Sequence, residues 1–339
     1  MSLYTSIIRP FLFTLPPERA QTLAETALRF NPISNWLSRA WSPKNDRLCT
    51  TLAGIPLRSP VGLAAGYDKN CSVLGPLMSL GFGYIVGGTV TLHPRPGNPS
   101  PRLLRLPKQE ALINALGFPS KGLDHIESVI RKLTKRPATL FISISGLSIE
   151  EFLECHKRLE PLVEAIELNI SSPNTAGIRI FQEQHAFTKL IQKINQQRSK
   201  PIFVKFPPYV TDQEKVKIHS LIKICGELGV NGITIANTEP VEEQRMKVGR
   251  GGLSGQPLFL NTVKMIEEIR SEVGNKLAIN ACGGISSGED AILCLEKGAD
   301  TVQLYTGLVY SGPALISRIN NDILQIVMKR GLPSVKSIK

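Results

Sequence analysis

Two lysines, four asparagines, a serine and a threonine stand where short apolar runs of this chain give way to polar turns. Lys69 follows the first such run in "AAGYDKN", and Lys205 stands in "VKF". Asn169, Ser172 and Asn174 share "NISSPN"; Asn237 and Thr238 lie in "IANTE"; Asn114 lies in "INALGF". An asparagine side chain offers a donor and an acceptor together. Several of them suit a small ring with amide edges, and the lysines suit an anion or a negatively charged cofactor. A single polar residue at the end of an apolar run is usually a cap or a turn former. Its repetition along the chain is harder to explain that way. Glycines 283 and 284 in "CGGIS" and Gly307 in "YTG" each precede a helix start, where backbone amides can receive phosphate. The "RGGLSG" run, 250–255, reads as a further glycine-rich loop.

Other chemistries are excluded. No Asp/Glu pair is set out for glycosidic work. No H-x-H or H-E-x-x-H pattern offers a metal site. The six cysteines are scattered without a C-x-x-C pair, which argues against zinc, an iron–sulfur cluster or a disulfide framework and fits a reducing, cytoplasmic setting. Neither Ser171 nor Ser172 lies in a G-x-S-x-G elbow, and no histidine is near in sequence. A free serine hydroxyl is a poor base. It needs a dry site, a polarising neighbour or a water relay. The net charge of +12 leaves an anionic ligand or an anionic membrane open. Its lysines and arginines are dispersed and not interleaved with aromatics, so nucleic acid is not expected.

The elements that must position these residues alternate. Apolar, β-rich runs fall at Val61–Ala65, Tyr84–Thr89, Thr139–Ile144, Ala165–Ile170, Ile202–Phe206, Gly232–Ala236, Leu277–Ala281 and Thr301–Tyr305. Helical patterns lie between them, as at Lys121–Lys135, Glu183–Gln197, Asp212–Leu228, Leu258–Val273 and Gly288–Lys297. Eight strands, each followed by a helix, predict an α/β fold, a (β/α)8 TIM barrel with its chemistry at the C-terminal strand ends. A doubly wound sheet would usually need fewer strands. Residues 46–60 read as a hairpin that plugs the bottom of the barrel.

Residues 1–45 differ. Tyr4, Ile7, Ile8, Phe11 and Leu12 recur at helical spacing, as do Leu23, Ala27 and Phe30, and then Ile33, Trp36, Leu37, Ala40 and Trp41. Short helices with apolar, aromatic and basic faces either lie in a membrane interface or pack on the main domain, and the pattern alone allows both. No apolar run is long enough to span a bilayer, and no signal peptide is evident.

Several longer motifs carry a resemblance. "AAGYDKN", "GTVTLHPRPGNPSPRLLRL", "INALGF", "NISSPNTAGIR", "RGGLSGQPL" and "VQLYTGL" occur in an order that resembles the dihydroorotate dehydrogenases of the quinone-linked, membrane-associated class. The resemblance runs from "LPPERA" to about residue 330. It implies a barrel (46–339) that binds FMN and oxidises dihydroorotate to orotate in pyrimidine (UMP) biosynthesis, with electrons passing to a membrane quinone. It also implies that residues 1–45 form a small helical domain giving quinone access. The protein would then be peripheral, on the cytoplasmic side of the cell membrane.

Residue roles follow from the same resemblance. Ser172 corresponds to the catalytic base, which takes a proton from C5 while hydride leaves C6. Serine, where soluble relatives carry cysteine, agrees with the N-terminal segment in selecting the quinone-linked class. Pro173 breaks the strand, so Ser172 can begin the active-site loop, and Ser171 reads as structural. Lys69, Asn114, Asn169, Asn174, Asn237 and Thr238 would hold the pyrimidine ring. Ala65, Gly66, Lys69, Thr89, Ser143, Asn169, Lys205, Gly255, Gly284, Tyr305 and Thr306 would line FMN, with Lys205 facing the flavin ring. Arg105 and Tyr305 would sit near the quinone tunnel.

The chain departs from the family's pattern at four places. Ser143 stands where an asparagine near FMN is expected, in a strand end that usually reads N-I-G-K-N. Ala236 replaces a threonine, Ala115 an arginine, and "NACGGI" a more apolar strand end. Each loss removes roughly 0.5–1.5 kcal/mol of net hydrogen bonding. The departures keep two alternatives in view: another FMN-dependent barrel reductase of a pyrimidine-like ring, and a degenerate barrel that binds without turnover.

Overall fold

The computed structural model describes residues 2–29, 45–172 and 177–338. Its strands are β1 (Thr50–Leu52), β2 (Ile55–Leu57), β3 (Val61–Leu63), β4 (Tyr84–Val90), β5 (Leu103–Leu106), β6 (Ala111–Asn114) and β7 (Thr139–Ile144). They continue with β8 (Ala165–Asn169), β9 (Ile202–Lys205), β10 (Gly232–Ile235), β11 (Glu239–Glu242), β12 (Arg250–Gly255), β13 (Ala278–Cys282) and β14 (Thr301–Leu304).

Strands β3, β4, β7, β8, β9, β10, β13 and β14 form a closed parallel barrel in chain order. Closure comes from β14 lying beside β3, with Val302 opposite Val61 and Leu304 opposite Leu63. These are the eight runs expected from the sequence, most of them a residue or two shorter. Strands of such a barrel are covered on both faces, so their residues are apolar without a clean alternation. The helices Leu123–Arg131, Ile149–Leu159, Gln184–Asn195, Asp212–Glu227, Phe259–Val273, Gly288–Glu296 and Ala314–Lys329 cover the outer face. The start of Asp212–Glu227 carries a capping box from Thr211 and Glu214, and that of Gly288–Glu296 one from Ser287 and Asp290. Both satisfy orphan backbone donors reciprocally.

At the N-terminal end of the barrel, Tyr84, Phe141, Ala165 and Phe203 fill the interior together with Leu52 and Leu57 of the β1–β2 hairpin. The Phe141 and Phe203 rings stack at 5.4 Å. The hairpin thus closes the bottom, as its sequence suggested, and leaves the opposite end open.

A second sheet was not foreseen. It is antiparallel, in the order β11-β12-β6-β5. The "RGGLSG" run, read as a loop, is its strand β12, and Asn114 ends β6. Asn114 pairs with Leu103 of the neighbouring strand and with Gly252 from a distant part of the chain.

The N-terminal segment docks beside this sheet. A π-helical turn, Tyr4–Ile8, runs into the helix Arg9–Thr14, and a second helix spans Pro17–Arg29. Arg105 donates to the Leu15 carbonyl at 2.8 Å, and Arg102 makes a forked contact with Glu18 at 2.7 and 3.1 Å. Tyr4 and Arg9 donate to the carbonyls of Val309 and Tyr310 at 2.7 and 2.9 Å. The helix Pro17–Arg29 turns Ala20 inward and leaves Leu23 exposed, and Leu3, Ile7, Ile8 and Phe11 are exposed as well. Much of the first apolar stripe, and Leu23 and Ala27 of the second, therefore face away from the barrel. Phe30 and the third stripe, with Trp36 and Trp41, lie outside the described residues. Among the described residues, no helix is long and apolar enough to cross a membrane.

Candidate active site

The C-terminal ends of the barrel strands surround one cavity, with about 1250 Å³ of empty space out to its mouth. Its wall includes Lys69, Asn114, Asn169, Ser172, Asn237 and Thr238 from the expected substrate set. It also includes Ala65, Gly66, Thr89, Lys205, Gly255, Gly284, Tyr305 and Thr306 from the expected cofactor set. Asn174 lies outside the described residues. Ser143 and Arg105 do not line the cavity.

The loop after β3 carries Lys69. Gly66 adopts φ +96°, a conformation that L side chains rarely take. Its amide donates to the Gly88 carbonyl at 2.7 Å, while the Lys69 ammonium donates to the Gly66 carbonyl at 2.5 Å. Asp68, 2% exposed, accepts from the Ser72 and Val73 amides at 2.8 Å each and ties the loop to the next helix. Burial raises the Asp68 pKa, and those amides oppose the rise.

A chain of hydrogen bonds crosses the rim. The Ser143 and Thr89 hydroxyls are 3.1 Å apart. Asn169 Nδ2 donates to Thr89 Oγ1 at 3.0 Å. Asn169 Oδ1 accepts from the Ser171 amide and hydroxyl at 3.2 and 2.8 Å, and Asn237 Nδ2 donates to Ser171 Oγ at 2.8 Å. Ser171 is thus a brace, in line with its expected structural role. Ser172, only 7% exposed, faces the cavity. Ser143, expected at the cofactor, is fully buried and acts one step back: its short side chain ends on Thr89.

Lys205 is 4% exposed, and its ammonium donates to Cys282 Sγ at 3.9 Å. Burial works against the lysine's charge, while Cys282, once ionised, and Glu167 favour it and leave its pKa above the ordinary value. Burial also raises the Cys282 pKa, so its sulfur is a neutral thiol near pH 7. On the far side, Gly284 has φ +77°, and a Cβ there would come within 2.5 Å of the Phe259 amide nitrogen. The glycine turn after β13 and the start of the helix Thr306–Ser311 form a cradle of backbone.

Some residues escaped the sequence reading. Gln303 lines the cavity, 2% exposed. Its side chain approaches Tyr84 closely enough to counter that phenol's raised pKa, yet neither its nitrogen nor its oxygen reaches hydrogen-bond geometry with a partner. It sits two residues before Tyr305, so strand parity would have placed it on the inner face. Leu103, Leu112 and Tyr310 form an apolar wall on the side of the N-terminal helices. Arg105 stands behind that wall, 4.6 Å from the Phe13 ring centroid, with its pKa lowered by burial.

The family model for dihydroorotate dehydrogenase matches residues 47–327. This chain belongs to that family. A dihydroorotate dehydrogenase (quinone) of Chloroflexus aurantiacus is 36% identical, across 94% of this chain and 95% of the relative. One from Bartonella henselae is 34% identical, across 100% of this chain and 96% of the relative. The ligand-free DHODH structure from Eimeria tenella superposes with a TM-score of 0.83 at 29% identity, covering 95% of this chain and 98% of that one. The same protein in complex with ferulenol gives a TM-score of 0.81 at 28% identity, with 94% of each chain covered.

The rim network predicts unequal costs for its members. Thr89→Val leaves the buried Asn169 donor without its acceptor and should cost about 1–3 kcal/mol. Ser143→Ala keeps the Thr89–Asn169 bond and should cost less. Urea unfolding of both variants checks the order; equal stabilities would contradict the network's role.

Proposed function

We propose that this chain oxidises dihydroorotate to orotate for pyrimidine synthesis, with FMN as bound cofactor and a quinone as electron acceptor. The observation that carries this reading is the meeting of Lys69, Asn114, Asn169, Ser172, Asn237 and Thr238 on one cavity wall, beside a buried lysine and a glycine cradle.

The residues fit the cofactor. The turn at Gly284, with no room for a Cβ, and the backbone around Thr306 would receive the phosphate. Ala65, Gly66, Thr89, Asn169, Gly255 and Tyr305 would line the remainder, and Ser143 would act through Thr89. Gln303 has an uncommitted amide to offer a polar ring edge. Lys205 would place positive charge where a reduced, anionic ring needs it. Bound FMN supplies a hydride acceptor and, afterwards, an electron donor.

The chain's own work is orientation and proton transfer. Asn114, Asn169, Asn237, Thr238 and, from the sequence alone, Asn174 would hold the pyrimidine edges, while Lys69 would meet the carboxylate. Ser172 would take the C5 proton. Its burial keeps bulk water from competing and favours a hydroxyl that acts only when substrate is in place.

Residues 1–45 would form the quinone-access domain. The apolar wall of Leu103, Leu112 and Tyr310 faces that side, and Tyr305 and Arg105 would flank the tunnel. Exposed Leu3, Ile7, Phe11 and Leu23, with Arg9, Arg19 and Arg29 nearby, suit an anionic lipid interface. This favours a peripheral place on the cytoplasmic face of the membrane.

Two outcomes test the reading. Ser172→Ala should keep FMN but lose about 10²–10⁴-fold in kcat with dihydroorotate and a quinone analogue; undiminished turnover would mean that Ser172 is not the base. Ile7→Ser with Phe11→Ser should weaken co-sedimentation with anionic phospholipid vesicles while turnover with a soluble dye acceptor persists. Unchanged sedimentation would remove the N-terminal helices from the membrane contact.

A further inference from the structure

The barrel interior is not uniformly apolar. Above the aromatic floor lies a polar layer. Glu167 Oε2 accepts from Thr234 Oγ1 at 2.8 Å, Asn280 Nδ2 donates to Thr234 Oγ1 at 3.4 Å, and Thr301 Oγ1 donates to Asn280 Oδ1 at 2.5 Å. Glu167 is 1% exposed, and its second oxygen, Oε1, is buried with no hydrogen-bond partner. A carboxylate sealed in a barrel with one oxygen unserved is costly unless a positive charge faces it.

The candidate cation is Lys205. Strands β8 and β9 lie side by side with Asn169 opposite Lys205, and Glu167 precedes Asn169 by two residues. Strand parity therefore places Glu167 on the same inner face, one layer below the lysine. Thr234, which holds Glu167 Oε2, is the register partner of Lys205 on the other flank, in β10. The two charged groups make no direct ion pair, so the carboxylate acts across the low-dielectric interior. Above, Lys205 touches Cys282, a neutral thiol that accepts a hydrogen bond but brings no charge.

We propose that Glu167 is a positioning residue for Lys205. Locked by Thr234, it is the buried counter-charge that keeps the ammonium protonated and aimed at the cavity floor. This rests on the function inferred above, in which Lys205 faces the flavin ring. Glu167 itself touches neither ligand. Its effect reaches the flavin through the lysine, as the field that stabilises negative charge on the ring.

Sulfite is the probe. It adds reversibly to oxidised flavin, bleaches it, and gives an anionic adduct that a neighbouring cation stabilises. The measurement uses the FMN-loaded enzyme and needs neither dihydroorotate nor quinone. Glu167→Gln should retain FMN while its sulfite Kd rises about tenfold or more and the flavin midpoint potential falls by about 30 mV, the equivalent shift for a two-electron couple. Glu167→Asp, which keeps the charge, should recover part of both. In a Lys205→Met background, Glu167→Gln should change sulfite affinity by less than about twofold, the additivity limit for a residue that acts only through the lysine. A Glu167→Gln enzyme with unchanged or tighter sulfite binding would overturn the proposal. So would a full shift that persists without Lys205. If Glu167→Gln fails to fold or to hold FMN, Thr234→Val carries the test: weaker sulfite binding supports the proposal, and unchanged binding overturns it. A wild-type protein that takes up no FMN would instead overturn the assigned function.

Discussion

The Asn169 carboxamide spends its oxygen on Ser171 and one N–H on Thr89. Through those bonds it ties β4 and β8 to the loop after β8, and Asn237, donating to Ser171, adds the loop after β10 to the same frame. A primary amide has a second N–H, so the joint can still present a donor to a ligand. Position here depends on satisfaction: with its oxygen and one N–H committed to fixed protein groups, the side chain has little freedom to turn. Ser172 follows directly, and its place at the cavity wall is inherited from that frame. Barrel closure does the rest. It brings eight strand ends, scattered over most of the chain, onto one rim.

Charge is distributed by depth. The cavity wall carries two lysines, Lys69 held by a backbone carbonyl and Lys205 by a thiol. Beneath them the interior carries one carboxylate, Glu167, in a ladder of hydroxyls and amides. Beneath that come aromatic rings and the β1–β2 hairpin. A positive floor under a negative or reducible ligand is therefore set over a buried carboxylate, with an apolar base beneath both. On the other side, an apolar wall separates the cavity from the N-terminal helices, where Arg105 is pinned by Leu15 and Phe13.

The eight barrel strands were legible because each is sheathed on both sides and reads as a mainly apolar run. The helices between them were legible from their stripes. The second sheet was not. Its strands "EPVE" and "RGGLSG" hold proline and glycine, and the pairing of β6 with β12 that unites its two hairpins joins residues far apart in sequence. Most expected site residues were visible as polar breaks at strand ends. Glu167, Asn280 and Gln303 were hidden because each sits inside an apolar run, where a lone polar residue looks incidental until parity and burial are known. Ser143 was visible but assigned one contact too close: the structure sets it behind Thr89, which faces the cavity.

The central claim is that one cavity holds a flavin against a dihydropyrimidine that the chain itself deprotonates. An anaerobic absorbance titration of the purified protein with dihydroorotate tests it most directly. The account predicts a yellow protein whose flavin band bleaches on adding dihydroorotate and returns on adding a quinone analogue. A flavin-loaded protein whose spectrum does not respond to dihydroorotate would contradict it.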